Sequence, residues 1–156
     1  LIDPEVDLRS GTEINLHAPA LIPDDYLPDV HMRLMIYKRI ANATTHHQLR
    51  ELSVELIDRF GLLPEPTKLL IRQTELKITA EMLGIRRIDL GENGGHIEFK
   101  NDTRVPATKI IALIQTSPDR FKMASAHQLG ILDRITDRTE RFGYLEAFLG
   151  ELAEAA

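Results

Sequence analysis

Cysteine is absent from the sequence, so no disulfide staples the fold, and no thiolate can act as a nucleophile or complete a cysteine zinc site. A reducing cytoplasm is the natural setting, and cytoplasmic localisation is the expectation. Tryptophan is also absent, and aromatic residues make up only 5%. A nucleic-acid platform wants stacking side chains among its basic ones. Here Arg33, Lys38, Arg39, Arg50, Arg86 and Arg87 are scattered without such interleaving. Positive charge is in deficit too: 19 Lys and Arg against 24 Asp and Glu leave a formal charge of -5. A free-standing DNA or RNA binder normally carries a basic excess that displaces counterions from phosphates. An acidic balance suits a basic protein partner better. No apolar run approaches the roughly 20 residues that a membrane helix needs, so no membrane partner is expected. The opening Leu1-Ile2-Asp3-Pro4-Glu5-Val6-Asp7 has neither an initiator Met nor a signal-peptide pattern, and it reads as the start of a segment taken from within a longer chain.

Catalytic motifs are missing as well. There is no GxxxxGK[ST] or GxGxxG phosphate cradle, no GxSxG elbow and no HExxH pair. His46 and His47 are adjacent, and adjacent helix residues point about 100° apart, so they read as first-turn surface residues and not as a ligand pair. Asp24-Asp25 lies in a proline-flanked loop, where turn and capping chemistry accounts for it. The expectation is a domain without catalytic, cofactor-binding or metal-binding residues. A hydrolase built on acidic residues finds no nucleophile, metal set or cofactor loop here.

With 156 residues, 43% hydrophobic and 28% charged, the chain has the size and make-up of one globular domain. Residues 1–11 read as a linker or tail, and residues 12–156 as the domain. Glu13 to His17 alternates like a short strand, and Pro19, Pro23 and Pro28 keep the following chain extended. Asp29 caps a first helix carrying Met32, Met35, Ile36 and Ile40, with Lys38 and Arg39 facing outward and an end near Ala43. Met32 and Met35 read as core filling. Thr45 and Gln48 make a capping box for a second helix, with Leu49, Leu52, Leu56 and Phe60 inward and Gly61 as its stop. Pro64 and Pro66 open a third, with Leu69, Leu76, Ala80 and Leu83 on one side and Gly84 at its end.

The period then changes. Arg86 to Leu90 and His96 to Lys100 read as strands joined through Gly91-Glu92-Asn93-Gly94-Gly95, where Asn-Gly tolerates positive φ. Pro106 starts a short helix with Ile110, Ile111, Leu113 and Ile114. Phe121 to Ala124 and Leu129 to Leu132 form a second hairpin. A last helix runs from about Thr136 to Ala153 with Phe142, Leu145, Leu149 and Leu152 inward. The predicted fold class is α+β, a helical N-terminal half followed by β-hairpins and a C-terminal helix in a single compact domain.

The second helix carries the most informative surface. Glu51, Glu55 and Asp58 are spaced i, i+4, i+7 and form a stripe nearly opposite the apolar one, with Arg59 on its flank. This pattern serves either as a solvated helix face or as a docking face for arginines on another protein, since Arg–carboxylate pairs are directional and charge-assisted. Leu62 and Leu63 then either staple this helix to the next or stand exposed beside the acidic stripe. Stapling is the preferred reading because interhelix loops often pack their own apolar residues.

Leu21-Ile22-Pro23-Asp24-Asp25-Tyr26-Leu27-Pro28-Asp29, then Arg33-Leu34 and Tyr37-Lys38-Arg39-Ile40-Ala41, resembles the start of the C-terminal domain of transcription-repair coupling factors, the Mfd proteins. Glu55-Leu56-Ile57-Asp58-Arg59-Phe60-Gly61-Leu62-Leu63-Pro64 is similar to that domain's second signature. Gly84-Ile85-Arg86 and Gly94-Gly95-His96-Ile97-Glu98-Phe99 continue the likeness, which covers about residues 12–153. The resemblance implies a domain that packs on a UvrB-like module of the same polypeptide and covers that module's UvrA-binding surface. RNA polymerase and DNA would be engaged through other parts of the parent, and ATP and Mg would belong to its motor. The resemblance also assigns Glu55, Asp58 and Arg59 to the interdomain contact, with Glu51 as a geometric extension. The alternative reading is a direct nucleic-acid-binding module, which would need a basic surface assembled from distant residues.

Overall fold

The computed structural model describes residues 11–156, and among these the sequence folds into five helices and a five-stranded sheet. The α+β class is as predicted. The strands are β1 (Glu13–Asn15), β2 (Ile85–Gly91), β3 (Gly94–Phe99), β4 (Phe121–Ser125) and β5 (Gln128–Ile131); the helices are α1 (Val30–Asn42), α2 (His46–Phe60), α3 (Glu65–Leu83), α4 (Ala107–Thr116) and α5 (Arg138–Ala155). The described residues divide into two compact units, 19–78 and the pair 11–18 with 79–156, and the boundary falls within α3. Residues 1–10 of the expected tail lie outside the described residues.

The unit 19–78 is helical, and local signals set its helix ends. Asp29 caps α1 by accepting from the Met32 N–H at 3.0 Å. Thr45 caps α2 by accepting from the Gln48 N–H at 3.1 Å, while the Gln48 side chain reaches back to the Thr44 N–H at 2.8 Å, one residue earlier than a capping box would place it. Gly61, at φ 94°, ends α2 in a conformation that L side chains rarely adopt. The core consists of Ile22 and Leu27 from the proline-flanked loop, Ile36 and Ile40 from α1, Leu49, Leu52 and Leu56 from α2, and Ile71 and Ile78 from α3. Met32, Phe60 and Leu63 pack on it while partly exposed. Two expectations fail here. Met35 is 52% exposed because α1 turns Ile36 and Ile40 inward, and Leu62 is 85% exposed because the chain leaving Gly61 buries Leu63 instead. Tyr26 ties the loop to the end of α2, donating from its hydroxyl to the carbonyl of Gly61 at 2.9 Å and of Leu56 at 3.2 Å.

In the other unit the sheet order is β1-β2-β3-β5-β4. Both predicted hairpins are present and antiparallel, and β1 lies parallel to β2. The β2–β3 turn is tighter than expected: Gly91 pairs with Gly94 and only Glu92 and Asn93 loop out, with Gly94 alone at positive φ. Alternation puts Ile88, Leu90, Ile97, Leu129 and Ile131 on a buried face, and Phe142, Leu145, Leu149 and Leu152 of α5 are buried with them. The opposite face is polar, with Arg87 opposite Glu98, Asp89 opposite His96, and Glu98 opposite Gln128. Helix α5 starts two residues later than predicted because Asp137 caps it, accepting from the N–H groups of Thr139 and Glu140. Beside that cap Arg141 is buried. It donates to the carbonyls of Ile135 (2.9 Å), Leu16 (3.0 Å), Thr136 (3.2 Å) and, weakly, His17 (3.5 Å), so it holds the end of β1 against the start of α5.

Candidate interdomain docking face

All four predicted contact residues lie on α2, Glu51 and Asp58 on the side away from Leu49, Leu52 and Leu56, and Glu55 and Arg59 on the flank that meets side chains of α1. The structure does not leave them as a bare acidic stripe. Arg39, one helix away on α1, lays its planar fork on Glu55, with Nη1 to Oε2 at 2.7 Å and Nη2 to Oε1 at 2.9 Å. Arg59 adds a third donor from Nη1 to Oε2 at 3.3 Å. Its own guanidinium is held by Met32 Sδ at 3.5 Å and lies 5.0 Å above the centre of the Phe60 ring. The two hydrogen bonds from Arg39, and secondarily the one from Arg59, stabilise the charged carboxylate and pull the Glu55 pKa down to about 2. Arg39 is correspondingly held above its ordinary value by the bond to Glu55.

The other members of the stripe differ. Glu51 Oε1 sits 3.1 Å from His47 Nε2 one turn earlier, an exposed contact that is ionic only when the imidazole is protonated. Asp58 is exposed and has no ion-pair partner among the described residues. Between α1 and α2 lies an open groove of about 480 Å³ lined by Lys38, Arg39, Asn42, Gln48, Glu51, Leu52 and Glu55, among others. Sequence reasoning found Glu51, Glu55, Asp58 and Arg59 but sent Arg39 outward. Arg39 is indeed exposed, yet its side chain bends across to the neighbouring helix.

His46 Nδ1 lies 3.5 Å from Glu75 Oε2, so the adjacent histidines point to different partners. Among the described residues no group of three or more His, Cys, Asp and Glu is arranged to hold a metal ion, and no helix is long and apolar enough to cross a membrane.

The TRCF domain family matches residues 16–110, well over half of the chain and all of α1 and α2. The chain belongs to the TRCF domain family. Two relatives of this TRCF domain are the transcription-repair-coupling factors of Escherichia coli (strain K12), 42% identical over 151 residues, and Haemophilus influenzae, 45% identical over 145 residues. These alignments cover 96% and 93% of the present chain but only 13% of each relative, so the TRCF domain spans about an eighth of the proteins it matches. A solved structure, the crystal structure of the C-terminal domain of a transcription-repair coupling factor, superposes with a TM-score of 0.77 at 24% identity and covers 93% of each chain. The resemblance read from the sequence is borne out, and the fold is that of the C-terminal domain of these factors.

Proposed function

We propose that this chain is the non-catalytic, autoinhibitory domain of a DNA translocase that couples transcription to nucleotide excision repair in the cytoplasm. In this reading it docks on the UvrB-like module of its own polypeptide and masks the UvrA-binding surface there. RNA polymerase, DNA, ATP and Mg are handled by other parts of the parent. The observation that carries the proposal is the exposed end of α2: Asp58 presents an unpaired carboxylate one turn from Glu55, inside a family-matched segment. A carboxylate on a rigid helix is a directional acceptor for a guanidinium fork, and its main service is to fix register and partner choice.

The mechanism is a population argument. The parent has a closed state, in which the face is docked, and an open one. A contact made only in the closed state biases the balance toward it. One interdomain charge pair is worth about 1–3 kcal/mol, a shift of roughly 5- to 150-fold. Because the partner is tethered in the same polypeptide, a weak intrinsic affinity suffices.

The test uses the full-length parent. Glu55→Ala combined with Asp58→Ala, and Asp58→Asn alone, are expected to raise its binding to immobilised UvrA; the double variant loses up to about 1 kcal/mol of stability with the Arg39 pair, whereas Asp58→Asn leaves thermal stability unchanged. The single substitution is the cleaner probe, since the Asp58 side chain makes no ion pair or hydrogen bond among the described residues. Unchanged UvrA binding by a folded Asp58→Asn parent removes the assigned face.

A further inference from the structure

Glu55 is the centre of the proposed docking face, yet both of its oxygens already accept from Arg39 and one of them also from Arg59. An ionised carboxylate offers about four acceptor positions, so little is left for a newcomer. The local charge agrees. One carboxylate faces two guanidinium groups, so a third guanidinium approaching Glu55 meets a net positive site. The same arginine also lines the groove between α1 and α2, together with Lys38 and Glu51.

We propose that Arg39 is an internal competitor of the docking arginine, so that closure of the parent is an arginine-for-arginine exchange on Glu55. This rests on the docking reading above and adds the residue that sets its strength. Asp58, exposed and unpaired, takes the first contact with the incoming guanidinium. Arg39 then leaves Glu55. It has somewhere to go, because Glu51 lines the same groove and, among the described residues, pairs only with the exposed His47. One charged pair is exchanged for another of the same kind. Docking is therefore held closer to balance than a bare acidic stripe would hold it, and the domain stays releasable. Arg59 cannot play this part, because Met32 and the Phe60 ring hold it in place on its own helix.

The test is Arg39→Gln in the full-length parent, with binding to immobilised UvrA as the readout. Freeing Glu55 strengthens docking, so UvrA capture is expected to fall about fivefold, the factor that one exposed charge pair supports. Arg39→Lys keeps a charge without the planar fork and should give a smaller fall. It also keeps the test open if Arg39→Gln lowers the thermal midpoint. Asp58→Asn, run in parallel, separates the two ideas. If Asp58→Asn raises capture while both Arg39 variants leave it unchanged or raise it, Arg39 is a support of the docking face and the competitor assignment is wrong. If Asp58→Asn changes nothing, the docking reading itself fails and the exchange goes with it.

Discussion

Replacing Arg141 by Met keeps most of the aliphatic bulk and removes every donor of the guanidinium. Four carbonyls lose a partner, but they do not count equally. Those of Thr136 and His17 belong to exposed residues and regain a water molecule, whereas Leu16 and Ile135 are buried. A buried acceptor left without a partner costs about 1–3 kcal/mol. Two of them give about 4 kcal/mol, from which the relief of no longer desolvating a guanidinium, itself only 5% exposed, subtracts part. A net loss of about 3 kcal/mol corresponds to a Tm lowered by about 6–12 °C in a chain of this size. Thermal unfolding followed by circular dichroism reads the midpoint. Hydrogen exchange supplies the more specific readout: amides of β1 should lose protection before those of β3 and β5, because Arg141 ties the end of β1 to the start of α5. Arg141→Lys, which keeps a charge but not the fork, should recover only part of the loss. A Tm for Arg141→Met within about 2 °C of the parent, with β1 still protected, would show that the clamp is not what holds that strand.

Gly143→Ala, on an exposed stretch of α5 where an added Cβ meets nothing within 4 Å, should stabilise the chain by about 0.5–1 kcal/mol and raise Tm by a few degrees. Gly95→Ala should do the reverse, with a loss of about 3 kcal/mol or more, because its Cβ would collide with the Asp89 carbonyl oxygen and come within 2.9 Å of Leu90 Cα, all of it backbone that cannot step aside. Glu55, with its carboxyl held at about 2 against an ordinary 4.5, contributes stability that is fully present above about pH 4.5 and is lost as the pH falls through about 2. Its partial exposure limits the amount to about 1 kcal/mol. A carboxyl titration by NMR that places Glu55 near its ordinary value would contradict the Arg39 fork.

Features governed by near neighbours in sequence were legible. The caps at Asp29 and Thr45, the stop at Gly61, both hairpins and the apolar stripe Leu49, Leu52, Leu56 follow from periodicity and side-chain chemistry within a few residues. The acidic stripe was legible for the same reason. Its modification by Arg39 was not, because that contact spans 16 residues between two helices and no repeat announces it. Exposure inside an apolar-looking stretch was equally hard to read. Met35 neighbours Ile36 and Leu62 neighbours Leu63, and only the helix rotation and the path out of Gly61 decide which of each pair is buried. The start of α5 was misplaced by two residues, since Thr136 and Asp137 are both competent caps and only the geometry selects Asp137. The parallel pairing of β1 with β2 joins residues more than 70 positions apart, beyond any local signal.

That distant pairing has a consequence for synthesis. A ribosome delivers β1, and then α1, α2 and α3, before β2 emerges. The helices of residues 19–78 have their own core and can consolidate on the way out. Meanwhile β1 waits, with every backbone group on its pairing edge facing water or a stray strand. Closing so long a loop is slow compared with forming a turn of helix, so β1 remains an unpaired strand for an interval after the helices that follow it have formed.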